Sequence, residues 1–441
     1  MPNTFDVLIT GATVVNHDGE GVRDIGIRGG RIAGLGQLSS SAKAERIIDA
    51  SGLHILPGVI DSQVHFREPG LTHKEDLETG SRAAVLGGVT AVSEMPNTKP
   101  LTTSAERLAE KVAAARNRMF CDFAFYVGGT RENVADIPAL ERLEGSAGIK
   151  VFMGSSTGDL LVDDEASLER IIAALSRRAA FHAEDETRLN ARKAMREPGN
   201  PATHPIWRDA TAALEATTRL VRLAETHRRR VHVLHISTGD EMAFLAQHKD
   251  WASVEVTPHH LTLVAPDCYE RLGTYAQMNP PVRDAAHRAR IWAGIADGTV
   301  DVLGSDHAPH TRAEKDHAYP DSHSGMTGVQ TLVPIMLDHV NAGRLSLARF
   351  VDLTSHGPQR LFGIRGKGRI AMGYDADLTI VDLKRRETIT NAQQASRCGW
   401  TPYDGVTVTG WPVGTVVRGE VVMWQGEIVD KAHGQPVGFA Y

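Results

Sequence analysis

Three cysteines in 441 residues, Cys121, Cys268 and Cys398, are too few and too scattered to staple a fold. Odd in number and far apart, they fit reduced thiols better than a disulfide framework or a cysteine-built zinc site, so any metal must use other ligands. Basic runs are lacking too, and a formal charge of -6 argues against a nucleic-acid footprint. No uninterrupted apolar stretch approaches the roughly 20 residues of a spanning helix, and MPNTFDVLIT has no basic segment followed by a long apolar one. The expectation is a cytoplasmic protein with neither membrane nor nucleic acid as partner. What is present is 41% hydrophobic residues in a chain long enough for one large domain and a small one.

Leu53 to Gly70 organises the rest. Ile55–Ile60 is apolar, as a strand entering a buried parallel sheet should be, and Asp61, Gln63 and His65 then stand two apart, with Arg67 continuing the series. Around this stretch, strands alternate with helices. Strands are expected at 55–65, 90–95, 121–127, 148–153, 179–183, 231–236, 252–257 and 300–305. Leu168, Ile171, Ile172 and Leu175 mark one helix, and Thr103 or Ser104 caps another running through Arg118. Eight such repeats predict an α/β fold, a (β/α)8 TIM barrel over 57–364, with an open doubly wound sheet as runner-up. Short strands in 1–56, with Gly29-Gly30 as a hairpin turn, and in 365–441 predict one small β-sandwich built from both termini.

A barrel places its chemistry at the C-terminal ends of its strands. Those ends carry Gln63 and His65, Asn97, Lys150, His182, His235, His259 and His260, and Asp306. Histidines and a carboxylate converging from separate strands suit a catalytic metal site with an open position. A single histidine at a strand end is more often a hydrogen-bonded rim residue, and Asp306 alone could cap a helix. Lys150 alone reads as half of an ion pair, since a free ammonium repels a metal.

The motifs PGVIDSQVHFREPG, MPNT, GIKVFMGSSTG, HAED, HIST, MNPPVR, GSDHAPH and GWPVGTVVRGEVV resemble those of class I dihydroorotases, in the metal-dependent amidohydrolase superfamily. The resemblance spans almost the whole chain. It implies one or two zinc ions and reversible closure of N-carbamoyl-L-aspartate to L-dihydroorotate, a step of pyrimidine synthesis. It implies His65, Lys150, His182, His235 and Asp306 as metal ligands, with Lys150 carboxylated by carbon dioxide, and Asp306 also as the base that takes a proton from the attacking water. Arg67, Asn97 and His310 would hold the substrate carboxylate, with Asn279 and Gly325 as further substrate contacts.

One residue departs from the pattern. Gln63 stands where the family usually has histidine, and a neutral amide is a poor zinc ligand. The expectation is a weak or absent first metal beside a normally filled second. Residues 307–328 form a polar segment of 22 residues containing His310, His317 and His323, read as a substrate-covering loop. The competing readings are an allantoinase, hydantoinase or dihydropyrimidinase, against which Arg67 and Asn97 speak, and an inactive scaffold for aspartate transcarbamoylase, which only Gln63 favours. Self-association and association with that transcarbamoylase are left open.

Overall fold

The computed structural model describes residues 4–38, 42–155 and 160–440, so Ser156, Thr157 and Gly158 of the GIKVFMGSSTG motif lie outside the described residues. Eight parallel strands form one sheet in which every strand neighbours its sequence successor. They are β1 Val59–Val64, β2 Val89–Glu94, β3 Asp122–Gly128, β4 Ser146–Phe152, β5 Ala179–His182, β6 Val231–Val233, β7 Ala252–Val256 and β8 Val302–Leu303. The seam between β1 and β8 closes through few bonds. Val64 bridges His307, the His65 amide donates to the His307 carbonyl at 2.7 Å, and Asp61 Oδ1 accepts the Ser305 amide at 2.9 Å. The expected barrel is therefore present, and Asp61 belongs to its seam rather than to an active rim.

Helices cover the barrel. Asp164 caps Glu165–Ala174 by accepting the Ser167 amide at 2.8 Å, and Leu168, Ile171 and Ile172 turn inward. Burying such side chains contributes about 1.5–3 kcal/mol each. Ser104 is the cap of Ala105–Ala115. That helix stops short of the expected Arg118: Arg116 leaves the helical conformation with ψ of 130°, and Asn117 follows with a left-handed φ of 54°.

The two chain ends share a nine-stranded sheet. From the N-terminal side come Thr4–Asn16, Gly19–Arg28, Arg31–Gly36, Lys43–Asp49 and His54–Pro57, and from the C-terminal side Leu378–Thr388, Thr407–Val417, Glu420–Trp424 and Glu427–Ile428. They meet where His54–Pro57 runs antiparallel to Leu378–Thr388. Ile25, Ile55, Leu378, Ile380 and Val416 fill a core separate from that of the barrel. Gly29 and Gly30, at φ of 56° and 74°, make the expected hairpin turn. The stretch 55–65 is not one strand. It breaks at Gly58, whose amide donates to the Asp377 carbonyl and whose missing Cβ would stand 2.2 Å from Thr90 Oγ1. Residues before the break serve the terminal sheet and those after it the barrel.

Among the described residues no helix is long and apolar enough to cross a membrane, and the three cysteines are free and buried. One buried carboxyl away from the rim yields a stability prediction. Glu241, in the helix Gly239–Ala246, accepts hydroxyl hydrogen bonds from Thr217 and Thr238 at 2.9 and 2.8 Å, and burial pushes it up to about 7. Its folded value lies above the ordinary value of 4.5, so the native state binds the extra proton and stability falls as pH rises from 4.5 towards 7. Glu241→Gln removes that titration. The variant is expected to gain on the wild type by up to about 3 kcal/mol between pH 5 and pH 8. Thermal melts at the two pH values check this, and a difference that stays constant refutes it.

Candidate active site

A narrow polar cleft opens at the C-terminal ends of the strands. From β1 and the residues after it come Gln63, His65 and Arg67. Asn97 follows β2, His182 ends β5, His235 follows β6 and Asp306 follows β8, and Asn279, Ser324 and Gly325 close the outer wall. Arg67, His235 and Asp306 all adopt left-handed backbone, with φ of 65°, 39° and 49°. A non-glycine residue pays about 1–2 kcal/mol for that conformation, so the surrounding packing enforces it at three functional candidates together. This turn in the backbone, not strand alternation, brings Arg67 to the same cleft as Gln63 and His65.

The donor atoms form two facing pairs. The ring of His65 meets Asn97 Oδ1 through Nδ1 at 2.8 Å, which leaves its Nε2 lone pair facing Asp306 Oδ1 at 3.3 Å. His182 meets Glu184 through Nε2 at 2.9 Å, which leaves Nδ1 facing His235 Nε2 at 3.1 Å. Burial lowers the pKa of all three histidines, and neutral imidazoles are the form that binds metal. His235 Nδ1, Gln63 Oε1 and Lys150 Nζ are buried without a hydrogen-bond partner among the described residues. Electron pairs facing one another around such orphaned atoms fit a divalent cation.

Lys150 lies beneath the cleft, with Nζ 4.3 Å from the centre of the Phe152 ring. Burial pulls its pKa down to about 7, against the opposing pull of Asp306 and Glu255. It has no ion-pair partner among the described residues, so the ordinary reading of this lysine fails. A neutral amine at this pKa is the form that can react with carbon dioxide, and the carbamate so formed would be an anionic oxygen ligand.

Gln63 donates through Nε2 to Asp306 Oδ1 at 3.0 Å. Arg67 is 2% exposed; its Nε donates to the Pro309 carbonyl and its Nη2 lies 3.3 Å from His310 Nε2. No carboxylate of the described residues pairs with it. Asp306, Glu94 and Glu314 act only at longer range, and burial pulls its pKa down to about 10. Asn279 Oδ1 accepts from His204 Nε2 at 3.0 Å, which orients its amide. Gly325 has φ of 149°, and a Cβ there would stand 2.5 Å from the Ala308 carbonyl. His310 does not line the cleft. It is buried behind Arg67 and Gly325, with Nε2 3.1 Å from the Ser324 carbonyl.

His259 and His260 lie apart from the centre, in the short helix Pro258–Thr262. His259 Nδ1 pairs with the Tyr403 hydroxyl at 2.9 Å and His260 Nε2 with the Pro280 carbonyl at 3.1 Å, as packed polar residues do. His317 is exposed. The 307–328 segment is pinned rather than loose: the buried Lys315 ammonium donates to the carbonyls of His323 and Gly325 at 2.7 and 3.1 Å, and Arg312–Lys315 forms a capped turn of helix. Sequence reading missed Glu184, which holds His182 and is itself held by Arg208, and Lys74, which holds His310. Glu184 stands in the HAED motif already singled out for His182, and that proximity was the available signal.

Barrel, rim and donor set define the class, a barrel hydrolase. The Amidohydrolase family model matches residues 54–422, and the chain belongs to that family. It is 37% identical over 419 residues to a dihydroorotase of Halobacterium salinarum, covering 94% of this chain and 96% of that one. It is 35% identical over 452 residues to an L-hydantoinase of Paenarthrobacter aurescens, covering 98% and 97%. Among solved structures, the L-hydantoinase (dihydropyrimidinase) from Arthrobacter aurescens superposes with a TM-score of 0.93 at 33% identity, covering 98% of this chain and 99% of that one. The chain is a cyclic amide hydrolase, as its motifs led us to expect.

Proposed function

We propose that this enzyme is a dihydroorotase, interconverting L-dihydroorotate and N-carbamoyl-L-aspartate. The observation that carries the reading is Arg67, a buried guanidinium at the wall of the cleft with no carboxylate partner among the described residues. A buried charge is costly unless paired, and a planar fork of donors is matched best by a carboxylate. A ring that brings its own carboxylate supplies the missing partner. The dihydroorotase relatives support this reading, and the chain's net negative charge makes a local cation the more necessary for an anionic substrate.

His65, Lys150, His182, His235 and Asp306 would hold zinc, with Lys150 as its carbamate. Bound there, zinc would polarise the ring amide carbonyl and acidify the attacking water. Arg67 binds the ring carboxylate and fixes the face that the ring presents, and the Asn279 amide bounds the far side. Asp306 takes the proton of the water as its oxygen bonds to the amide carbon. It returns that proton to the ureido nitrogen as the ring C–N bond breaks, and ring closure runs the same transfers in reverse.

The second reading, a hydrolase of substituted hydantoins, is favoured by the L-hydantoinase likeness in both sequence and structure. Ring opening of L-dihydroorotate, hydantoin and allantoin by zinc-supplemented protein separates the two. Turnover of dihydroorotate alone is expected, and turnover of hydantoin instead hands the assignment to the second reading.

Gln63 gives a metal prediction. Its Nε2 is spent on Asp306, so it offers at most an amide oxygen where an imidazole would bind. After exhaustive dialysis one zinc per chain is expected to remain, and two in Gln63→His. Two tightly retained ions in the wild type would sink the idea.

A further inference from the structure

Behind Arg67 runs a polar chain of His310, Lys74 and Glu314. Lys74 is 4% exposed, and its ammonium lies between His310 and Glu314, 3.1 Å from His310 Nδ1 and 2.9 Å from Glu314 Oε1. Among the described residues, His310, Glu314 and His323 are the one trio of His, Cys, Asp or Glu whose ligand-type atoms all fall within 4.8 Å. A metal there would have to share the space with the ammonium. The cation of this cluster is Lys74 itself.

A lysine ammonium can only donate, so His310 Nδ1 accepts and the proton of the neutral ring is on Nε2. From there it donates to the Ser324 carbonyl at 3.1 Å. Burial, and the cations Arg67 and Lys74 beside it, keep the second proton off this ring. Nε2 is also 3.3 Å from Arg67 Nη2. In the tautomer that Lys74 imposes, Nε2 carries hydrogen and cannot accept from the guanidinium. In the other tautomer it would accept, and a donor of Arg67 would be tied to the protein.

We infer that Lys74 is a positioning residue: it locks His310 as the Nε2–H tautomer and thereby keeps Arg67 Nη2 free for the carboxylate of the substrate. The inference rests on the proposed role of Arg67, and it adds a residue two positions removed from any ligand contact. Selectivity for a ring carboxylate then depends on a lysine that never touches it.

The test has two independent arms. Long-range 1H–15N spectra of histidine-labelled protein, with the His310 signals assigned by their loss in His310→Gln, report the tautomer directly. The wild type is expected to show His310 protonated on Nε2, with the Nδ1–H form emerging in Lys74→Met. The kinetic arm follows L-dihydroorotate. Lys74→Met is expected to raise KM about tenfold, the size of one charge-assisted hydrogen bond, with kcat changing far less. Lys74→Arg, whose guanidinium also only donates, is expected to restore both tautomer and KM. A wild-type His310 protonated on Nδ1 overturns the inference even if Lys74→Met fails to fold, and so does a folded Lys74→Met with unchanged KM. Wild-type protein that neither turns over L-dihydroorotate nor binds orotate in calorimetry overturns the proposed substrate, and the spectra still decide the lock.

Discussion

Replacing Arg67 by methionine is expected to cut kcat/KM for L-dihydroorotate by about 1,000-fold while making the ligand-free protein no less stable. Loss of one partner from a buried charge pair costs about 3–5 kcal/mol, and each 1.4 kcal/mol is tenfold. The carboxylate that Arg67 is proposed to hold does not change during the reaction. Most of the loss should therefore fall on KM, as it does when ground-state and transition-state binding are removed together. Stability should move the other way. The guanidinium is buried with no carboxylate partner among the described residues, its pKa is pulled down to about 10 by burial, and methionine fills similar space without a charge. Steady-state kinetics beside a thermal melt reads both effects. A variant with wild-type KM would show that no substrate carboxylate meets Arg67, and would favour the hydantoin reading.

Asp306→Asn should reduce kcat by about 100- to 10,000-fold, the range over which a positioned general base acts. Asp306 follows β8 with a left-handed φ of 49°, and its Oδ1 is met by Gln63 Nε2 at 3.0 Å and faces His65 Nε2 at 3.3 Å. Asparagine keeps the shape and loses the ability to take a proton. Because Asp306 is also proposed as a ligand, zinc per chain must be measured on the same sample. A full complement of metal with kcat down by this range assigns the base. A variant that keeps its metal and more than about a tenth of wild-type kcat assigns the proton transfer elsewhere.

Much of this protein was legible in its sequence because the signals are local. Runs rich in apolar residues such as 121–127, found as Asp122–Gly128, mark strands whose direction follows from the chain alone, whereas the expected 300–305 shrinks to Val302–Leu303. Glu165–Ala174 shows its buried face by spacing, and Gly29-Gly30 shows its turn. The strand ends also named most of the cleft: His65, Asn97, His182, His235 and Asp306 all face it.

Other features depend on partners that are distant in sequence, and local pattern carries no record of them. Asp61 and Gln63 look alike in sequence, two apart on one strand, yet Asp61 secures the seam to Ser305 and Gln63 reaches the cleft. The strand entering the barrel divides at Gly58 because Thr90 and Asp377 close in on it from elsewhere. His310 belongs with the cleft residues by motif but lies behind Arg67, held by Lys74 from 236 positions away. The sequence by itself determined the barrel, the composite terminal sheet and the identity of most residues at the rim. Only the tertiary structure decided which of them meet, and that Arg67 lies buried with no carboxylate partner among the described residues, because burial and hydrogen-bond partners are properties of assembled neighbours.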